Sequence, residues 1–205
     1  MGKNKLILLL FLLFSIEGLH AQALDVEING TLIDAPQYKC VYLANLKQKT
    51  FLVTPIVKGG FGFKTQITVD GSLAHLFFDT DSTRTIDYLL QSRNGDHTRL
   101  VAIEDATLAF TANAKAMEVI KGPLNNDVND MYEAMATSAF EKYFETHSES
   151  AVSLVFLRAL IAVGSKNKGV TPINCKVLYD KLSERLKNSS KGKELLSLLQ
   201  TTKTE

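Results

Sequence analysis

At Gly122-Pro123 the apolar pattern of this 205-residue chain changes period, and that change constrains the fold more than any other feature. Upstream, from Leu24 to about Gly122, apolar residues recur at every second position in short runs. Leu24, Val26 and Ile28 alternate with Asp25 and Glu27, and Val41 with Leu43 and Phe61 with Phe63 repeat the spacing. A period of two places successive side chains on opposite faces of a strand. Further strands are predicted over 50–57, 74–78, 86–90, 99–103, 107–111 and 117–121. Asn29-Gly30, Lys58-Gly59-Gly60, Asp70-Gly71 and Asn94-Gly95-Asp96 supply turns between them. About eight or nine short strands at this spacing predict an antiparallel β-sandwich or open barrel.

Downstream the period becomes about 3.6. Val128, Met131, Tyr132, Met135, Ala139 and Tyr143 fall on one face of a helix starting at Asn125 or Asn126. A second helix over 149–163 is apolar nearly all round, with Arg158 its only interior charge, and is expected to be central and buried. Thr171-Pro172 opens a third and Ser189 or Ser190 a fourth. The fold class is therefore α+β: a sandwich over 22–122 packed on a cluster of about four helices over 123–205.

Residues 1–21 read as a secretory signal peptide. Lys3 and Lys5 precede an apolar run from Leu6 to Ile16, and Ala21 and Ala23 offer cleavage positions. As a helix that run would extend roughly 17 Å against a hydrocarbon core of about 30 Å, too short for a stable membrane anchor. Removing Lys3, Lys5 and Glu17 from the 23 basic and 22 acidic residues leaves 21 of each. With no long run of one sign, no electrostatic case for nucleic acid arises.

Cys40 and Cys175 are the only cysteines. Export permits a disulfide between them, but Cys175 shares a helical stripe with Tyr179, Leu182 and Leu186, where a thiol commonly serves as a small hydrophobe. Neither belongs to a Cys-x-x-Cys, so thioredoxin-type exchange is not encoded. His75, His97 and His147 are dispersed, without metal-ligand spacing, and are expected to be exposed or singly bonded. No cofactor is implied. Asn29-Gly-Thr31 and Asn188-Ser-Ser190 match the N-glycosylation sequon, and Asp81-Ser82-Thr83 resembles a short O-glycosylation acceptor motif of some Gram-negative periplasms, with Ser82 as acceptor.

Leu76-Phe-Phe-Asp79-Thr-Asp81-Ser-Thr83 resembles the first motif of haloacid-dehalogenase-type phosphatases. That resemblance implies Asp79 as nucleophile, Asp81 as acid/base and Mg²⁺ as charge partner. The chemistry needs parallel α/β units, whereas the surrounding pattern is antiparallel, so a polar turn between two strands is the simpler reading.

A second resemblance covers most of the chain after the leader. Val26-x-Ile28-x-Gly30, Val41-Tyr-Leu43, Gly60-Phe-Gly-Phe63 and Ile120-Lys-Gly-Pro-Leu-Asn-Asn126 occur in order. His147-Ser-Glu-Ser150-Ala-Val-Ser-Leu154, Leu178-Tyr-Asp-Lys-Leu182 and Lys187-Asn-Ser-Ser-Lys-Gly-Lys193 follow. Together they resemble the domain of unknown function that precedes thioredoxin-like modules in TlpA/ResA-type thiol–disulfide oxidoreductases of Gram-negative periplasms. The resemblance implies a periplasmic, non-catalytic accessory domain and a protein partner, for instance a separate thioredoxin-like oxidoreductase. It supplies no catalytic residue, because the family's dithiol lies in the thioredoxin module. A redox-responsive protein using Cys40 and Cys175 is the alternative.

Overall fold

The computed structural model describes residues 24–67, 73–93, 95–111, 114, 116–164 and 173–201. The leader, the Asp70-Gly71 turn, Asn94 and the Thr171-Pro172 helix start lie outside the described residues.

The fold is α+β. Eight strands form two four-stranded sheets: β1 (Leu24–Leu32), β2 (Cys40–Asn45), β3 (Thr50–Pro55), β4 (Gly60–Ile67), β5 (Leu73–Asp79), β6 (Thr98–Ala102), β7 (Ala106–Phe110) and β8 (Met117–Lys121). The first sheet has the order β4-β1-β7-β8 and the second β3-β2-β5-β6. Five strand pairs are antiparallel, as the pattern predicts. The sixth is not: β1 and β7 run parallel, with Ile28 opposite Ala106 and Leu32 opposite Phe110. The chain leaves β1 to build most of the second sheet and returns far along the sequence, so no hairpin sets the direction of that pair.

Alternation creates the core. Val26, Ile28 and Leu32 of β1 and Phe61 and Phe63 of β4 face Val41, Leu43, Leu76, Phe78 and Val101 of the second sheet. Phe61, Phe78 and Phe110 meet there with ring centroids 5.1–6.1 Å apart, in edge and tilted contacts favoured by the ring quadrupole. Phe61 also lies across Gly30, where a Cβ would sit 2.1 Å from the ring, so this position requires glycine.

The segment predicted as a strand over 86–90 is instead α1 (Ile86–Ser92). Thr85 caps it by accepting the Tyr88 N–H, and Asp87 in the first turn suits the helix dipole. Ile86 and Leu89, three residues apart, pack with Tyr42, Ala44 and Phe77 on the outer face of the second sheet. Short apolar runs fit both periods, and the cap decides this one.

Beyond Gly122 come α2 (Pro123–Thr137), α3 (Phe140–Thr146), α4 (Ala151–Gly164), α5 (Cys175–Asp180), α6 (Glu184–Asn188) and α7 (Ser190–Thr201). Among the described residues these are six segments, against the four or so expected. The predicted first helix breaks at Ser138, which adopts a left-handed φ of 58° and donates its N–H to Ala134 O. Within α2 the last buried position is Ala134, and Met135 is exposed rather than on the core face. The Ser183 hydroxyl starts α6 and the Ser189 hydroxyl bonds the Gly192 N–H in α7, dividing the C-terminal run. Nor is α4 buried all round: Val152, Leu154, Phe156, Leu157 and Leu160 pack inward, while Arg158, Ala159 and Val163 are exposed. The helices share one core with Leu73, Leu100 and Ala102 on the outer face of β5 and β6. The order of layers is sheet, sheet, helices.

Candidate functional site

The Asp79–Thr83 segment is a tied-down turn. Asp79, 6% exposed, accepts bonds from Arg84 Nε at 3.2 and 3.3 Å, from Arg84 Nη2 at 3.3 Å and from the Asp81 N–H at 3.0 Å. Asp81 accepts the Thr83 hydroxyl at 2.7 Å and the Thr83 N–H at 2.9 Å, bonds that with Arg84 hold its carboxyl below the usual range. The Tyr42 hydroxyl donates to Asp81 O and accepts the Arg84 N–H. β5 is antiparallel to both neighbours, the opposite of the phosphatase sheet. The arrangement orients α1, with Ser82 exposed in the turn.

Both cysteines are free thiols in separate clusters, Cys40 beneath α1 and Cys175 against the helical core. Burial raises both thiol pKa values, helped at Cys40 by the Asp79 carboxylate, which disfavours the reactive thiolate.

The histidines depart from the expectation of exposed or singly bonded rings. His75 is largely buried beside Phe77, and desolvation, with the Arg93 charge, lowers its pKa to about 4. His97 Nε2 is buried without a hydrogen-bond partner among the described residues. His147 is clamped: Nε2 lies 3.0 Å from Asp130 Oδ2 and 3.6 Å from Asp127 Oδ1, Nδ1 lies 3.1 Å from Tyr143 O, and the ring stacks on Tyr143 at 4.3 Å. Ser150 donates to Asp127 rather than to His147, so these residues tie α2, α3 and α4 together without forming a nucleophile–base pair.

A cleft of about 530 Å³ opens between the two sheets and α2, lined by Arg99, Phe110, Met117, Glu118, Asn129 and Tyr132 among others. Arg99 is 7% exposed, lies 3.7 Å over the Tyr132 ring and donates to Asn129 Oδ1 at 2.6 Å. Asn129 donates in turn to Met117 O. This lining fastens α2 across the open side of the sandwich. Nearby, the buried Asn125 amide accepts the Ala102 N–H at 3.0 Å and donates to Ala102 O at 3.1 Å, imitating one residue of a neighbouring strand. The β6 edge is thus covered.

The β3 edge is different. Phe51, Leu52, Val53 and, in the turn beyond, Val57 are 38%, 42%, 42% and 63% exposed. Ile56 donates to Lys39 O, which fixes the alternation along β3. Thr54, opposite Val41, and Leu52, opposite Leu43, therefore turn their N–H and C=O groups toward β2. Phe51 and Val53 turn theirs toward the open edge. Pro55 falls in the same outward set, where its missing N–H removes no ladder bond. Phe51 and Val53 also share the outer face with Tyr42, whose ring meets Phe51 edge-on at 5.6 Å.

Lysines surround this strand. Between Asp34 and Asp70 the sequence contains Lys39, Lys47, Lys49, Lys58 and Lys64 and no Asp, Glu or Arg. Lys47, Lys49 and Lys58 are exposed in the turns at the two ends of β3, and none forms an ion pair among the described residues. Scanning for runs of like charge misses them, because uncharged residues separate them. Counting sign between successive acidic residues would have found them.

Compared with known proteins, the chain matches no family model, no curated protein and no solved structure.

Proposed function

We propose that this chain is an exported, non-catalytic binding module of a Gram-negative periplasm, related to the accessory domain that precedes thioredoxin-like modules in TlpA/ResA-type oxidoreductases. The observation that carries the binding role is the apolar edge of β3 with exposed lysines at both of its ends. An edge strand of this kind invites pairing unless it is blunted; here Pro55 removes one donor, and the flanking lysines guard the edge against a second copy of the chain. The leader pattern supports export, and the ordered motifs from Val26 to Lys193 support the relationship. The polar clusters at Asp79 and His147 support a structural reading of the charged residues, since each is occupied in fixing a turn or a helix junction.

Two measurements test the proposal. Expressed from residue 1 in a Gram-negative host, the protein is expected in the periplasmic fraction with its N-terminus at residue 22 or 24. With the purified protein present, dithiothreitol is expected to reduce insulin disulfides no faster than in the uncatalysed control; turnover near that of a thioredoxin overturns the non-catalytic assignment.

A further inference from the structure

We propose that β3 takes up an extended segment of a partner protein as an added strand, and that this segment is apolar at its centre and acidic at its flanks. The inference rests on the reading of the chain as a binding module and names what that module binds.

Three features specify the partner. The outward N–H and C=O groups of Phe51 and Val53 and the outward C=O of Pro55 form a short template that another main chain satisfies with its own alternating groups. A lipid surface has no regular array of donors and acceptors to match it. Phe51 and Val53 on one face and Leu52 on the other give the incoming strand apolar neighbours on both sides. Lys47 and Lys49 at one end and Lys58 at the other, with no carboxylate between Asp34 and Asp70, set the charge required of its flanks. The same charges disfavour a second copy of this chain, which would bring two sets of lysines together along one edge. The β4 edge is a poorer template, with Gly62, Lys64 and Gln66 as its exposed residues.

The probe is a synthetic peptide, Glu-Asp-Thr-Val-Thr-Val-Thr-Val-Asp-Glu, titrated into isotope-labelled protein. Amide resonances of Phe51 and Val53 are expected to shift on addition, with smaller changes across β2. Val53→Pro removes one outward donor without breaking a bond to β2 and is expected to weaken binding by about tenfold or more while the melting temperature holds. Should that variant fold poorly, the Lys47→Glu/Lys49→Glu/Lys58→Glu protein serves in its place. It is expected to lose the acidic peptide and bind the counterpart in which lysines replace the flanking acids.

Undisturbed Phe51 and Val53 amides overturn the proposal, as does equal affinity for both peptides. Binding to phosphatidylglycerol vesicles in place of the peptide, or a dimer abolished by Val53→Pro in sedimentation, also overturns it. In each of these cases the insulin assay and the periplasmic address remain as expected, so strand addition falls while the exported, non-catalytic reading stands. Thioredoxin-like turnover would bring down the latter whatever the peptide does.

Discussion

Gly192 shows how one missing methyl group can set a helix junction. A Cβ there would lie 2.1 Å from Leu186 O and 2.7 Å from Lys187 O, both backbone atoms at the end of α6. Alanine would gain up to about 1 kcal/mol of helix propensity, whereas overpacking against an unyielding backbone costs about 1–3 kcal/mol. The clash wins, so Gly192→Ala is expected to lower unfolding free energy by about 1–2 kcal/mol in urea titration. His75 gives a pH-dependent counterpart. Its pKa is about 4 in the folded chain against 6.5 ordinarily, so the unfolded state binds more protons between those values. Its contribution is fully present above pH 6.5 and is lost as pH falls toward 4, by up to about 3 kcal/mol. His75→Leu is expected to lose less stability than the wild type between pH 7.5 and pH 4.5, with other acid-labile groups common to both. Equal losses would contradict the burial argument.

At the scale of elements, the contrast between two sheet edges organises the molecule. Asn125 covers β6 with paired amide bonds while also donating to Glu104 Oε1 at 2.9 Å, and the same carboxylate accepts the Asn125 N–H at 2.8 Å. Glu104 thus does at the start of α2 what Gly122, lacking a side chain, does not do as cap residue. Asn125→Ala is expected to cost about 2–4 kcal/mol, because it strands both polar groups of Ala102 in a dry site. Asn125→Asp keeps the acceptor but sets a carboxylate against Glu104 and Ala102 O, so its deficit should shrink in acid, as denaturant curves at pH 7 and pH 4.5 would show. Most of these elements were legible in the sequence, since alternation located the cores of all eight described strands, misassigning only the helical segment 86–90, and the switch at Gly122-Pro123 located the helices. What was hidden depended on partners distant in sequence. The direction of β7 beside β1, the amide of Asn125 on Ala102 and the aspartates around His147 leave no periodic trace. The β3 lysines were visible as letters, but only the strand order shows that they flank an open edge.

For the whole molecule, the decisive fact is that the boundary at Gly122 separates two patterns without separating two cores. Leu73 and Leu100 pack into the helical cluster from the outer face of the second sheet, Ala102 is buried within it, and Val101 between the latter two points into the sandwich. One strand, β6, therefore serves both cores through its alternating faces. Removing the helices would expose that outer face and the polar groups of Ala102 that Asn125 satisfies. The chain is accordingly expected to unfold as one cooperative unit, with far-ultraviolet circular dichroism and tyrosine fluorescence tracing a single coincident transition in urea. A fragment of residues 24–122 is expected to bind a hydrophobic dye and to lack that sharp transition. Two resolved transitions in the intact protein, with the fragment reproducing one of them, would show that sandwich and helices fold independently. The β3 edge would then belong to the sandwich alone; with one transition, the helical layer holds in place the sheet that presents it.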